Sequence, residues 1–506
     1  MVLPHSLPLV PIPAVTVVGE GRMPVGATSR VLGASPVVAQ LIDAIADRSG
    51  IRLASTIDGE PTEGDIVLRV DPAAAPAEGY TLRVSENAEI VGGDEAGLFF
   101  GVQTLRQLFR EDEDGWGIIR AEITDSPRFE HRGVMLDVTR HFFDATEVKK
   151  FIDATSALKF NRLHLHLSDD QGWRVQIDSW PLLTELSSST AAGGDRGGFY
   201  TKDDYRELVE YAASRHMILI PEIDLPGHTH AIGVAYPELV EAPVLNDGLI
   251  AESERLGQPL PIAGESYLGW GVGHSSVRIH EERTYDFVRD VVRELAEMTP
   301  GPYIHIGGDE SLGTPKADFD LFVERATQIV VDAGKTPVAW HEVGATELIA
   351  TGTIGQYWGK TTPEGTHADE AAHFVARGGS LIMSTADVAY LDMKYTPDFP
   401  LGLTWAGVID VRSSYEWEPT AILDVPDAAI LGVEAPLWSE TTRTLSDVEQ
   451  LVFPRAAAQA EIAWSTKQAP ERTWESFRTR LGSLAPLWNA ESIDFHASDD
   501  IPWSER

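Results

Sequence analysis

From Gly133 to Ala435 the sequence repeats one rhythm, in which short apolar, β-rich runs alternate with stretches of helical spacing. The runs are Gly133–Val138, Arg162–Leu167, Met217–Ile223, Tyr303–Gly307, Pro337–Trp340, Thr353–Trp358, Ser380–Ser384 and Ile430–Ala435, eight in all. Amphipathic segments such as Ala145–Leu158, Lys202–Arg215, Tyr285–Met298 and Ala317–Ala333 lie between them. Eight alternations over roughly 350 residues suit a (β/α)8 barrel with long loops. A doubly wound sheet is the structural alternative. The count of eight, and the polar residues at the ends of the runs, favour the barrel.

Residues 1–125 have a different character. Ile66–Val70, Tyr80–Val84 and Ala88–Val91 read as strands, the last two as a hairpin. Pro36–Arg48 and Ala96–Phe109 read as helices packed on that sheet. The expectation is an α/β barrel domain over 126–506, closing in a C-terminal helical segment, preceded by a small non-catalytic α+β domain. Thr124–Arg128, TDSPR, combines turn formers with a proline at the boundary.

Composition narrows the partners. There are 78 acidic and 40 basic side chains, for a formal net charge of -38. Such a surface repels phosphate backbones and anionic lipid, so nucleic acid and membrane surfaces are poor partners. Zero cysteines exclude disulfides, thiolate nucleophiles and Cys-ligated zinc. The first residues, MVLPHSLPLVPIPAVTVV, lack a cationic start and are broken by prolines. The chain as it stands therefore reads as cytoplasmic, or as secreted if a leader has been removed. Monomer and homodimer both stay open.

In a barrel the chemistry sits just past the C-terminal ends of the strands. Those positions carry Asp137 and Arg140; His164, His166, Asp169, Asp170 and Trp173; Glu222, Asp224 and His228; and Asp309 with Glu310. Further round come Trp340, His341 and Glu342; Gln356, Tyr357 and Trp358; Tyr390 and Asp392; and Trp438 with Glu440. Three tryptophans at one rim suggest apolar walls for a flat ligand, and carboxylates with an arginine suit its hydroxyl groups. This is the composition of a sugar pocket.

The adjacency of Asp309 and Glu310 constrains the reaction. A standard retaining glycosidase holds two carboxyls roughly 5 Å apart across the scissile bond. Neighbours on a strand point opposite ways, so this pair is expected to divide its labour, one moving a proton and the other supporting a different group. Assistance by a substrate 2-acetamido group is the known exception to the two-carboxylate scheme. The string GGDE is weak by itself, since it occurs at Gly92–Glu95 as well as at Gly307–Glu310. Cyclic-dinucleotide synthases also carry GGDE. The copy at Gly92 is explained by a turn between strand and helix. Histidine pairs such as His164 and His166 would suit a zinc-dependent barrel hydrolase, although such enzymes carry that motif on strand one and here it falls on strand two.

The segments DVTRHF, NRLHLHLSDDQGWR, PEIDLPGHTHA, HIGGDE, QYW, AYLDMKY, LTWAG and EAPLWSE resemble, in order, those of the family 20 glycoside hydrolases, the β-N-acetylhexosaminidases. AGLFFGVQTLRQL resembles the N-terminal domain of that family. PGHTHA departs from it, because many members have Asn where His230 stands. The resemblance implies an exo-acting enzyme that removes terminal β-linked GlcNAc or GalNAc from oligosaccharides or glycoconjugates, without cofactor or metal. It implies Glu310 as general acid and base, and Asp309 and Tyr390 as the residues that orient the acetamido group. Asp169 and His228 would support Glu310. Trp340, Trp358 and Trp438 would enclose the sugar, Arg140, Glu440, Asp392 and Asp224 would bind it, and Trp405 would lie on the leaving-group side. A non-catalytic sugar-binding protein, a metal-dependent hydrolase and a disaccharide-releasing enzyme such as a lacto-N-biosidase are the competing readings.

Overall fold

The computed structural model describes residues 7–504. The first six residues of the N-terminal stretch discussed above lie outside that range. Two compact units divide the chain. One holds the residues up to Arg132 with Ala154–Phe160 and those from Phe453 on, and the other holds Gly133–Asp153 and Asn161–Val452.

In the N-terminal part of the first unit a mixed sheet is joined by the helices Val37–Ser49 and Glu95–Leu108. Tyr80–Val84 and Ala88–Gly92 form the expected antiparallel hairpin. At the first GGDE, strand Ala88–Gly92 gives way to helix Glu95–Leu108, whose N-cap Asp94 accepts from the Gly97 amide at 2.7 Å. This copy is a strand-to-helix turn and a cap. The sequence patterns do not bring out the short strands Arg30–Leu32, Ala54–Thr56 and Phe109–Asp112, nor the two long ones, Val15–Pro24 and its antiparallel partner Gly115–Asp125. Glycines and charges interrupt their alternation, and the register shifts between Val18 and Arg22.

The C-terminal helices Arg455–Trp464, Trp474–Gly482 and Ala485–Ala490 group with this first unit, not with the barrel to which the sequence pattern joins them. Buried polar contacts between distant residues account for it. Trp464 Nε1 donates to Asp125 Oδ2 at 3.0 Å, and the Glu461 carboxylate accepts from the Ile12 amide and from the Arg480 guanidinium.

The second unit carries a closed barrel of strands β1 (His131–Asp137), β2 (Arg162–His166), β3 (Ile218–Glu222), β4 (Tyr303–His305), β5 (Thr336–Trp340), β6 (Ile354–Tyr357), β7 (Leu381–Met383) and β8 (Ile430–Leu437). All eight coincide with the apolar runs in the sequence, displaced by a few residues at most. The register sets the site. Asp137 pairs with His166, His166 with Glu222, and Glu222 with His305, so one level of the first four strands is ionisable. Barrel interiors are normally filled by branched apolar side chains. Among the described residues no helix is long and apolar enough to cross a membrane.

Candidate active site

The loop leaving β4 determines where Asp309 and Glu310 point. Strand β4 ends at His305, although Ile306 and Gly307 still bond to the flanking chains after β3 and in β5, and the chain turns through Gly307 (φ 67°), Gly308 (φ 100°) and Glu310 (φ 45°). Positive φ comes easily to glycine and seldom to glutamate, so Glu310 is held by its surroundings. A Cβ on Gly307 would sit 1.8 Å from Asp224 Oδ1, and one on Gly308 2.3 Å from Val343 Cγ2. The Gly308 amide donates to Asp224 Oδ1 at 3.0 Å, which fixes the turn to the segment after β3.

This corrects the expectation that the two carboxyls diverge. They do not lie on a strand, and the turn brings both to His228, whose Nε2 is 3.9 Å from Asp309 Oδ2 and 3.7 Å from Glu310 Oε2. The three ligand atoms lie within 4.8 Å of one another. Their environments nevertheless differ. Asp309 is buried, while the Glu310 side chain keeps 36% of its surface open.

Behind His228 runs a chain of buried charge. His228 Nδ1 meets Asp169 Oδ1 at 3.1 Å, and Asp169 Oδ2 meets Arg140 Nη2 and His166 Nε2, each at 2.8 Å. His166 Nδ1 reaches Glu222 at 2.5 Å, and Glu222 also accepts from Trp340 Nε1 at 2.9 Å. Although burial opposes it, Asp169 is held well below the usual carboxylate range by Arg140 and His228. The Asp169 and Asp224 carboxylates push His228 well above the ordinary imidazole value against its burial, so it carries a positive charge. Glu310 goes the other way. Desolvation raises its carboxyl to about 7, with Asp309 adding to the shift and His228 opposing it. Burial and the Asp309 charge likewise raise Asp224 well above the carboxylate range.

The remaining rim residues cluster beside these carboxyls. Trp340 and Trp438 pack with ring centres 5.9 Å apart and planes tilted by 42°, and both belong to one apolar cluster with Tyr390, against which Trp358 packs. Trp405, 49% exposed, stands edge-on to Trp358 at 5.8 Å and to Tyr390 at 5.5 Å. Burial, with Asp392 and Asp309 nearby, raises the Tyr390 hydroxyl well above its ordinary value, so it keeps its proton and can donate. Arg140 lies 4.9 Å over the Trp438 ring. Buried Asp392 adjoins Tyr390, and Glu440 faces Arg140 electrostatically. Asp309 Oδ1, Asp224 Oδ2, His228 Nε2 and Glu440 Oε2 are buried without a hydrogen-bond partner among the described residues. Buried polar atoms are rarely left so, and these four are groups a bound ligand could engage.

His230 takes another partner, with its Nε2 on the Glu265 carbonyl at 2.8 Å. Sets such as His164, Glu222 and His305 are close enough to hold an ion. Metal ligation needs neutral imidazole. Glu222 and Glu434 raise His164 to about 9 despite its burial, and Glu222 and Asp169 raise His166 well above the ordinary imidazole value against its burial. Those two imidazoles therefore fit ion pairs better than a zinc centre. Sequence reasoning gave no role to Glu434, which accepts from Gln356 Nε2 at 2.7 Å, or to Glu342, which faces Asp309 and binds Trp358. The one available signal was the place of Glu342 two residues beyond Trp340 at a strand end.

A family model described as glycosyl hydrolase family 20, catalytic domain, matches residues 129–467, and one described as domain 2 of that family matches 6–126. The chain belongs to glycosyl hydrolase family 20. It is 39% identical over 455 residues to a β-N-acetylhexosaminidase of Cellulomonas fimi, covering 88% of this chain and 86% of that one. A solved family 20 β-N-acetylglucosaminidase is 51% identical with a TM-score of 0.90, over 98% of this chain and 99% of its own. A mutant Streptomyces plicatus β-hexosaminidase in complex with its product, GlcNAc, is 41% identical with a TM-score of 0.90, over 100% of this chain and 99% of its own. Gly307→Ala puts a methyl group into Asp224 and displaces both carboxyls. A misplacement of about 1 Å costs about 10²-fold, so kcat/KM should fall by that order while circular dichroism still reports a folded barrel.

Proposed function

We propose that the chain is an exo-acting, retaining β-N-acetylhexosaminidase in which the acetamido oxygen of the substrate is the nucleophile. The observation that carries this reading is the contrast between two adjacent carboxyls. Glu310 is part-open with its pKa raised to about 7, whereas Asp309 is buried beside the aromatic walls with one oxygen unbonded among the described residues.

Glu310 suits proton transfer at the mouth. It donates its proton to the glycosidic oxygen as the bond from that oxygen to C1 breaks. The acetamido carbonyl oxygen forms its bond to C1 from the opposite face and gives an oxazolinium ion. Asp309 accepts from the acetamido N–H and stabilises the positive charge that develops there, and the Tyr390 hydroxyl donates to the carbonyl oxygen and orients it. Water then attacks C1 and displaces the acetamido oxygen, whose bond to C1 breaks, while Glu310 takes the water's proton, which returns the original configuration. Trp340, Trp358 and Trp438 enclose the acetamido methyl and the ring, holding the nucleophile near its target, and such positioning is worth roughly 7 kcal/mol in good cases. Arg140, Glu440 and Asp392 bind ring hydroxyls. Asp169 holds the His228 cation against the two carboxyls, Asp224 fixes their turn, and Trp405 lines the leaving-group side. The substrates are GlcNAc- or GalNAc-terminated oligosaccharides and glycoconjugates.

Two outcomes test these assignments. Glu310→Gln should abolish hydrolysis of aryl glycosides with poor leaving groups yet spare those whose leaving group needs no proton, and equal losses on both would remove the acid role. The acid form of Glu310 is present below its pKa and lost above it, so kcat/KM should fall as pH rises through about 7. His228→Asn removes the cation that opposes the shift and should move that limb to higher pH.

A further inference from the structure

Glu342 is a further carboxyl at the site, and the roles above leave it out. It follows β5 in the turn His341–Ala345. Trp358 Nε1 donates to both its oxygens, at 3.1 and 2.9 Å. The preceding residue, buried His341, meets the backbone of the same tryptophan, with Trp358 N and His341 Nδ1 3.5 Å apart. Consecutive residues thus hold both the main chain and the ring of Trp358.

Trp358 is only half-buried, and a terminal aromatic torsion is a soft one. Left free, its N–H could turn toward solvent or a sugar hydroxyl. Held by Glu342, the N–H is engaged and the ring face is what remains for a ligand. Trp405 leans on both Trp358 and Tyr390, so a turn of Trp358 would also reach Tyr390. We infer that Glu342 is a positioning residue that locks the Trp358 indole in the plane completing the acetamido wall. Desolvation and nearby Asp309 raise the Glu342 carboxyl well above the usual range, which favours its neutral form. A neutral acid still accepts through its carbonyl oxygen, so glutamine is the closest substitute.

This inference rests on the hexosaminidase reading, and one experiment separates the two. In the full chain, kcat and KM are measured on an aryl N-acetylglucosaminide for wild type, E342Q, E342L, W358F and the double variant E342L/W358F. E342Q should stay within about twofold of wild type. E342L should lose roughly tenfold in kcat/KM, mostly through KM, as one lost hydrogen bond implies. In the W358F background the same substitution should cost nothing more, because the N–H it serves is gone. Equal loss in both backgrounds, or a Gln variant as impaired as the Leu variant, would overturn the positioning role. Glu342 is 26% exposed, so Glu342→Thr, polar and too short to reach the indole, replaces E342L should that variant not fold. An inactive wild type would count against the hexosaminidase reading itself, whereas an active one with additive losses would count against Glu342 alone.

Discussion

Asp169 sits at the crossing of three cations, Arg140, His166 and His228, and the rest of the pocket is arranged around that crossing. A buried carboxylate stripped of any one of them would be costly, by about 3–5 kcal/mol for a broken buried pair. Each cation is therefore held where it is needed. His228 is pinned toward Asp309 and Glu310, Arg140 toward Trp438, and His166 toward Glu222, which in turn accepts from Trp340. One carboxylate thus links the side of the site at Glu310 to the side at Trp438.

The second constraint is the turn after β4. Two glycines with positive φ and a bond from Gly308 to Asp224 carry the chain off the strand and bring the carboxyls together at His228. Proximity alone would make them equivalent. Their different depths, and the raised value of Glu310, set the two carboxyls apart. The two copies of GGDE make the same point, for the first ends as a helix cap at Asp94 and the second as the loop that holds Asp309 and Glu310.

Much of this was legible in the sequence. The eight strands are continuous apolar runs whose ends carry the rim residues, so fold and pocket could be read together. What escaped depends on backbone torsion or on contacts between residues far apart. The convergence of Asp309 and Glu310 needs a left-handed glutamate that strand reasoning does not foresee. The grouping of the C-terminal helices with the first unit rests on contacts such as Trp464 with Asp125, 339 residues away. Glu342 was visible as a strand-end residue, but its hold on Trp358 depends on how the loops after β5 and β6 pack.

The central claim is that the acetamido oxygen attacks C1, and progressive fluorination of that group tests it most directly. Aryl glycosides bearing acetamido, fluoroacetamido, difluoroacetamido and trifluoroacetamido groups share one leaving group and differ mainly in the nucleophilicity of the carbonyl oxygen. The account predicts that kcat falls steeply and monotonically along the series. A flat series would contradict it and return the nucleophile to a carboxylate of the protein.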